Sequence, residues 1–409
     1  MFQSFKKSRY IFFFSISILS VLTFFLTILL LYTSLGLRFF LRSTDFRAFY
    51  TGGLMLLNNV TQDFYTLSTQ YNWQHKFTPE MSDPKYLMPF VYPPFVAIPM
   101  AFIALLPFET AYFVYMLWNI ALLAVLCFLI IRICKNVKTI TKVALITMCV
   151  TFLPILTTII QGQLSLLLTL ALLNIWLSFK AGNKMRCGLW LSLLFVRPHL
   201  VIVPIIAFAL KRELRVLIGL AIGSSILLML SYLLVGWSGL KEYITLLTSA
   251  FSWGDAYTRH PQMLHSWNGF IHFLFNTNQL RGIIFLLWLL GIILATALLL
   301  WAWRGRLIAK TSKFALQWAI LVLTMLFTSP HVNFHDLSLL IVPGLLVTFY
   351  LTREKHDAKW NRLLTLLLFL GYFSVSFTLV AQTYLRLQIS VLFMLLALVL
   401  LAWTFNYKK

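Results

Sequence analysis

Charged residues are scarce in this chain: Asp, Glu, Lys and Arg together make up only 11% of its 409 residues. A typical soluble domain is roughly a quarter charged, so the composition excludes an ordinary soluble fold. What remains is 60% hydrophobic, with a mean hydropathy of +0.87. This composition, together with long apolar runs, predicts an all-α, polytopic integral membrane protein.

Cysteine and acidic residues are also sparse. The four cysteines lie in or beside apolar segments, which excludes a disulfide framework; they are Cys127, Cys134, Cys149 and Cys187. Only 11 Asp and Glu stand against 33 Lys and Arg, and the formal net charge is +22. Such a charge can indicate nucleic acid or anionic lipid, but cytoplasmic loops of membrane proteins also collect Lys and Arg. We interpret it as a topology signal and expect no nucleic-acid partner.

Apolar segments predict a single membrane domain over residues 1–409, with roughly 10 to 13 transmembrane helices. The clear segments lie near 11–35, 108–132, 143–160, 164–179, 213–236, 281–303, 313–328, 337–351, 361–381 and 386–405. The first carries no charge and follows a basic start, so we expect an uncleaved span with a cytoplasmic N-terminus. Segments 91–106 and 187–210 are harder to place.

Six basic clusters decide between the possible topologies. They lie at 132–142, 180–186, 211–215, 304–313, 353–362 and 408–409. All of them, and the C-terminus, are cytoplasmic only if 91–106 does not cross fully and 187–210 enters the membrane and returns. Both conditions are reasonable, because 91–106 is rich in proline and 187–210 is broken at Arg197-Pro198-His199.

Imidazoles and carboxylates collect on the opposite, outer side of this map, where seven of the eight His lie. These are the acid–base groups of proteins, so we expect the chemistry on the outer face. The two long outer loops, about 36–90 and about 237–280, both contain apolar residues at helical spacing. We predict an amphipathic helix at the membrane surface in each loop, the first with Thr44 as its N-cap.

A lone carboxylate, Asp45, follows the first span directly. It stands beside the membrane surface in a chain that has few acidic groups. One interpretation is a general base. The other is a carboxylate at a helix N-terminus, favoured there by the helix dipole.

Asp45 with Phe49-Tyr50 is the first of six short motifs along the chain. The others are Val91-Tyr92-Pro93-Pro94-Phe95, Gln161-Gly162-Gln163, Arg197-Pro198, Ser266-Trp267-Asn268, and Ser329-Pro330-His331 with His335-Asp336. Over roughly residues 40–345 this order resembles glycosyltransferase family 87, membrane enzymes of the GT-C class that use polyprenyl-phosphate sugars. Two departures stand out: Arg197 where the family usually has Lys, and His335-Asp336 where two adjacent His are frequent.

The resemblance implies a hexosyltransferase of the plasma membrane, mannosyl by family habit, that inverts the sugar. Its donor would be a polyprenyl-phosphate sugar, and its acceptor a glycan or glycolipid on the outer face. Asp45 would take the proton of the acceptor hydroxyl, since inversion requires one base and no covalent intermediate. The resemblance implies no cofactor and no obligatory metal.

The donor phosphate is expected at the break in 187–210, because Arg pairs well with phosphate oxygens. Arg197 and His199 stand there, although an Arg near a span end can also simply reach to the interface. Tyr92 and Arg259 are further candidates for the donor site. For Tyr92, a helix start in the aromatic belt is an equal alternative.

His335 is the second catalytic candidate, either acting on the leaving phosphate or being merely an interfacial His. Other polar positions are candidates for substrate contacts: Gln161, Gln163, Asn268 and His331. The two glutamines equally suit a polar hairpin tip. His331 and His335 have a zinc-like spacing, with Asp336 as a conceivable third ligand, but nothing fixes a helix there and we expect no metal site.

A transporter or lipid-carrier flippase is the main alternative function, and a glycan ligase or polymerase of related architecture is a third. Ion-coupled transporters tend to hold ionisable groups at mid-membrane and to contain repeats. The sequence shows no carboxylate in the middle of a span and no clear repeat. It therefore favours the enzyme.

Overall fold

The computed structural model describes residues 42–81, 83–249, 261–275, 280–305, 307–309, 311–353 and 358–407, together with Ile18 and Leu22. The expected first span, near 11–35, lies almost wholly outside these residues. Within them the chain is helical and forms no β-strand; a single isolated β-bridge joins Leu264 to Asn333. The predicted all-α fold is confirmed.

Sixteen α-helices follow one another along the described residues. The first eight are α1 (Phe46–Leu57), α2 (Leu67–His75), α3 (Ala97–Ile103), α4 (Phe108–Ile133), α5 (Thr139–Val150), α6 (Leu153–Gln161), α7 (Ser165–Lys180) and α8 (Lys184–Ser192). The second eight are α9 (Ile202–Leu210), α10 (Leu214–Ser249), α11 (Trp267–Leu274), α12 (Arg281–Ala302), α13 (Lys313–Thr328), α14 (Ile341–Arg353), α15 (Ala358–Leu385) and α16 (Ile389–Tyr407). A 3₁₀ helix, Phe334–Leu340, leads directly into α14.

Five helical segments of the described chain are long and apolar enough to cross a membrane: α4, α10, α12, α15 and the 3₁₀ helix continued by α14. Helices α5 and α6 pass the same test as a pair, bent by 44° at their junction. Helices α7 and α13 are shorter, 16 residues each, and almost all of their side chains are buried. Protein rather than lipid surrounds them, so their length need not match the bilayer. Each span predicted after 11–35 is helical, although 143–160 is divided between α5 and α6.

Segment 187–210 folds back on itself, as expected for a segment that enters the membrane and returns. Lys184 begins α8 and Glu213 follows α9, and the Lys184 Nζ lies 2.6 Å from the Glu213 Oε2. The two ends of the segment therefore meet, and the break at Arg197 lies between them. Helices α8 and α10 pack so closely that a Cβ on Gly188 or Gly219 would overlap the backbone of the facing helix.

Segment 91–106 is too short to cross. Its helical part, Pro94–Ile103, spans about 15 Å, which is half of a bilayer core of ~30 Å. Helix α3 packs instead against α1, so closely that a Cβ on Gly53 would overlap the Met100 backbone. This contact joins segment 91–106 to the long loop of about 36–90.

The two predicted surface helices differ. Helix α1 is not an interfacial helix: all residues from 46 to 53 are buried. Its aromatic side chains pack on protein instead of lipid, as Phe46 does on Tyr115 with ring centroids 5.2 Å apart. Thr44 is not its N-cap, since the helix begins after Asp45. Helix α10, by contrast, breaks at Gly236 and then exposes Trp237, which suits a surface helix.

Candidate active site

Five separate stretches of chain meet in one polar group, here called the Asp45 cluster. Its members are Asp45, Tyr92, Gln161, Gln163, Ser165, Arg197, His335 and Asp336. The cluster unites residues from five of the six sequence motifs with the start of α7. Motifs separated by up to about 290 residues therefore form one site.

The turn between α6 and α7 brings two glutamines to Asp45. Gly162 ends α6 with a left-handed φ of 65°, and a Cβ there would lie 2.8 Å from the Phe46 Cβ. Glycine is the residue that fits this turn. The Asp45 backbone N–H donates to the Gln161 Oε1 at 3.0 Å, and the Gln163 Nε2 donates to the Asp45 Oδ2 at 2.7 Å. Backbone and side chain of Asp45 are thus both held.

The Asp45 carboxylate is partly open to substrate. Its side chain is 25% exposed, against 5% for His335 and 1% for Asp336. Gln163 occupies the Oδ2, whereas no hydrogen bond from the described residues reaches the Oδ1. Arg47 adds a buried positive charge nearby: burial lowers its pKa to about 10, so it stays protonated at neutral pH. The Oδ1 is therefore the atom that can accept a proton.

Arg197 is the centre of the cluster and is only 5% exposed. Its Nη1 forms an ion pair with the Oδ2 of Asp336. Its Nη2 lies 3.0 Å from the Gln163 Oε1, 3.3 Å from the Tyr92 hydroxyl and 3.0 Å from the His335 Nε2. A guanidinium only donates and a carboxylate only accepts, so these contacts also fix the orientation of the Gln163 amide. The Arg197 Nε has no partner among the described residues.

Asp336 is held by three groups. Besides Arg197, the Ser165 Oγ donates to the Oδ1 at 2.7 Å and the Asn333 N–H donates to the Oδ2 at 3.0 Å. A buried charge that lacks partners is strongly destabilising, so this carboxylate requires all of them. With its oxygens occupied in this way, Asp336 is not a free acid, base or metal ligand.

Tyr92 closes one wall of the cluster. Its hydroxyl donates to the Gln163 Oε1 at 3.0 Å, and its ring packs on Phe49 with centroids 4.5 Å apart. Burial raises the pKa of Tyr92 to about 12, so the hydroxyl stays protonated and remains a donor. The motif therefore has a defined place in the cluster and is more than a helix start in the aromatic belt.

The remaining site candidates are His199, His331, Asn268 and Arg259. The ring of His199 faces that of His331, with centroids 6.2 Å apart, and its Nε2 has no partner among the described residues. The Asn268 amide donates to the carbonyl of Pro330 at 3.3 Å, so it supports the turn before His331. Arg259 lies outside the described residues.

Sequence reasoning did not single out Ser165 and considered Asp336 only as a metal ligand. The signal for Asp336 was present, because a carboxylate next to a His in an apolar chain requires a partner. Ser165 is an ordinary helix-start serine in sequence, and only the fold brings it to Asp336. In the described part of the chain, no three His, Cys, Asp or Glu residues are arranged to hold a metal ion.

An apolar cavity lies apart from the Asp45 cluster. This cavity of about 440 Å³ lies between α5, α14, α15 and α16, and none of its lining residues is Asp, Glu, His, Lys or Arg. Such a lining offers no acid–base or phosphate-binding group. The Asp45 cluster is therefore the better candidate for the active site.

Comparison with known proteins gives one match. A family model described as glycosyltransferase family 87 matches residues 90–330, which include Tyr92, both glutamines, Ser165 and Arg197. No curated protein and no solved structure matches the chain.

Proposed function

The chain belongs to glycosyltransferase family 87, and from this membership and the Asp45 cluster we propose that it moves a hexosyl unit, mannosyl in the first instance, from a polyprenyl-phosphate sugar to a glycan or glycolipid. The observation that carries the proposal is the Asp45 carboxylate: partly exposed, held by two glutamines, and free at one oxygen. That is the arrangement a general base requires.

In the proposed reaction the acceptor hydroxyl attacks C1 of the donor sugar while its proton passes to the Asp45 Oδ1. The bond between C1 and the phosphate oxygen breaks, and the polyprenyl phosphate leaves with the electron pair. A retaining enzyme would require a second carboxylate as nucleophile. The buried Asp336 is engaged by Arg197 and Ser165, which supports inversion with one base.

We place the donor phosphate beside Arg197. Asp336 already balances the charge of the Arg197 guanidinium, and both Nη atoms of Arg197 are engaged by protein groups. Arg197 therefore cannot form a bidentate Nη contact with the phosphate. The Nε–H has no partner among the described residues and is the group left for a phosphate oxygen. His199, two residues further on, has an unpartnered Nε2 that can contact the donor as well.

We place the reaction on the non-cytoplasmic face of the plasma membrane. Helix α6 ends in the cluster, while the preceding α5 begins next to Lys138. Similarly, the 3₁₀ helix Phe334–Leu340 begins in the cluster and α14 ends at Arg353. The basic residues thus stand at the far ends of the same helical segments, and Lys and Arg mark the cytoplasmic side.

The test is transfer by the purified protein in lipid nanodiscs. Polyprenyl-phosphate mannose labelled in the sugar is incubated with glycan and glycolipid acceptors, and free polyprenyl phosphate and labelled product are measured. We expect both to appear together and to depend on Asp45, with NMR showing an inverted anomeric centre. Transfer from a nucleotide sugar instead, or lipid movement across the bilayer without bond cleavage, would contradict the proposal.

A further inference from the structure

The ring of His335 lies between two charged groups, and its contacts decide where its proton is. The Nε2 lies 3.0 Å from the Arg197 Nη2, while the nearest oxygen of Asp336 is 3.6 Å away. Arginine has no acceptor, so this short contact requires a lone pair on the Nε2. A neutral ring then carries its proton on the Nδ1, which points towards the Asp45 Oδ2, 3.9 Å away.

We infer that Asp336 and Ser165 are positioning residues: they hold Arg197, and Arg197 holds His335 in the Nδ1–H tautomer that supports Asp45. This inference rests on the proposed function and deepens it. Each link is a contact between buried groups: Ser165 to Asp336 at 2.7 Å, the ion pair to Arg197, and Arg197 to His335 at 3.0 Å. Asp336 and Ser165 touch neither Asp45 nor the opening of the site.

The consequence for the reaction concerns the two oxygens of Asp45. The Oδ2 receives the Gln163 amide at 2.7 Å and faces the Nδ1–H of His335. As the donor closes the site, the 3.9 Å gap can shorten to a hydrogen bond, because such contacts tighten in the substrate complex. The Oδ1 then remains as the basic oxygen. His335 acts on the base, and the expected direct role on the leaving phosphate gives way to it, since both ring nitrogens face protein groups.

The alternative is that the ion pair only stabilises the fold. A structural pair would lower stability when broken but would leave the tautomer of His335 and the ratio of kcat to KM unaffected. Outer residues that orient an acid–base group act differently: their loss typically lowers activity about 10- to 100-fold. Measuring the tautomer of His335 therefore distinguishes a positioning role of the ion pair from a purely structural one.

The experiment records ¹⁵N NMR spectra of the full-length protein with labelled histidine, with His335→Gln identifying the signals of His335. We expect the Nδ1–H tautomer in the wild type and a mixture of tautomers in Asp336→Asn. Ser165→Ala should retain the fold, shift the tautomer signals in the same direction and lower kcat about 10-fold, with KM changed less than 2-fold. If Asp336→Asn fails to fold, Ser165→Ala alone decides.

Two controls make the result specific. Thr169→Val removes a buried hydroxyl one helical turn from Ser165. This hydroxyl donates to the backbone carbonyl of Ser165 at 2.8 Å and lies 3.5 Å from the Ser338 Oγ. It has no contact with the Ser165 hydroxyl or with Asp336, so the variant should leave spectra and turnover unchanged. Ser165→Thr restores a hydroxyl and should recover the wild-type spectrum. An Nε2–H or protonated ring in the wild type would overturn the inference, as would an unchanged tautomer in both Ser165→Ala and Asp336→Asn. Neither result depends on which sugar or acceptor the enzyme uses.

Discussion

The Asp45 cluster and the apolar cavity occupy successive parts of the same helices, yet they differ in every chemical respect. Helix α6 ends in the cluster at Gln161, while α5, before the 44° bend, lines the cavity with Met148. The 3₁₀ helix Phe334–Leu340 carries His335 and Asp336 in its first turn and ends at Leu340, which also lines the cavity. At one end these segments contribute to a network of hydrogen bonds and ion pairs, and at the other end they line the apolar cavity.

The difference shows where this fold can tolerate charge. Ionisable groups inside a membrane protein are expensive and persist when they are paired and functional. The cluster collects Asp45, Arg197, His335 and Asp336 within a few ångströms, and two of its glutamines serve to orient them. The residues that line the cavity include no ionisable Asp, Glu, His, Lys or Arg. Substituting them should therefore change packing and stability but not the rate of transfer. Each prediction below tests this contrast.

The largest effect is expected from Asp45→Asn, which keeps the shape of the side chain and removes the base. Asparagine still offers an oxygen to the Gln163 amide, so the fold should be retained. We expect transfer to fall about 100- to 10,000-fold, the typical contribution of a general base. Initial rates with saturating donor measure it.

Asp83→Asn is the matched control for Asp45. Asp83 lies in the same loop, pairs with Lys85 and has a side chain that is 44% exposed. Exposed ion pairs contribute little, so this variant should keep its activity. Near-normal transfer by Asp45→Asn would remove the cluster from the mechanism.

Breaking the buried ion pair should have the largest effect on stability. Arg197→Ala leaves the Asp336 carboxylate buried without its cation, at a cost of about 3–5 kcal/mol. The double variant Arg197→Met with Asp336→Leu removes both charges and should recover most of that stability without recovering transfer. Thermal unfolding in one detergent, with transfer rates in parallel, measures both. A double variant that is active would show that the pair is merely structural.

A substitution at Gly162 should lower both the stability of the protein and its rate of transfer. Gly162→Ala forces an L-residue into the left-handed region, which should lower the stability by about 1–2 kcal/mol. The added Cβ would also overlap Phe46. Displacing the two glutamines should lower transfer roughly 10-fold, since small errors in position are costly at a reacting centre. Gly182→Ala is the control, with φ of 82° but nothing within 4 Å of its Cβ. It should lose similar stability and keep its turnover.

Much of this architecture could be predicted from the sequence, because lipid imposes simple rules. Apolar runs predicted the helices. The distribution of Lys and Arg predicted that 187–210 returns to its own side, and the Lys184–Glu213 contact shows that the two ends of this segment meet. The prediction for α1 was wrong, since an amphipathic pattern does not reveal whether lipid or protein covers the apolar face. Here Phe46 and Phe49 pack on the tyrosines of the bundle.

Most members of the site were predictable, with Ser165 and the role of Asp336 as exceptions, but the connections between them were not. Asp45, Tyr92, Gln163, Arg197 and His335 were all candidates, because polar residues in an apolar chain require a reason. Their bonding pattern was not accessible, since it depends on distances between stretches far apart in sequence. In sequence, an Arg whose Nη atoms are free for phosphate looks the same as one whose Nη atoms are engaged by protein groups. The structure shows the second case for Arg197, through the ion pair with the buried Asp336.

The smallest effect is expected at the cavity, where Gly344 in α14 faces open space: a Cβ there would meet only the Cδ2 of Leu368, at 4.0 Å. Gly344→Ala should stabilise the helix by about 0.5–1 kcal/mol, since glycine in a helix interior is unfavourable. Gly344→Leu fills part of the cavity and should change stability by no more than about 1–2 kcal/mol in either direction. Transfer should stay within about 2-fold of wild type in both, because the lining holds no group that can act on a proton or a phosphate. Thermal unfolding and transfer rates of the two variants measure this.

If the leucine variant alone loses transfer more than 10-fold while its melting temperature is unchanged, the cavity is part of the path of the substrate. The two ends of these helices would then work together, and the contrast between them would fail.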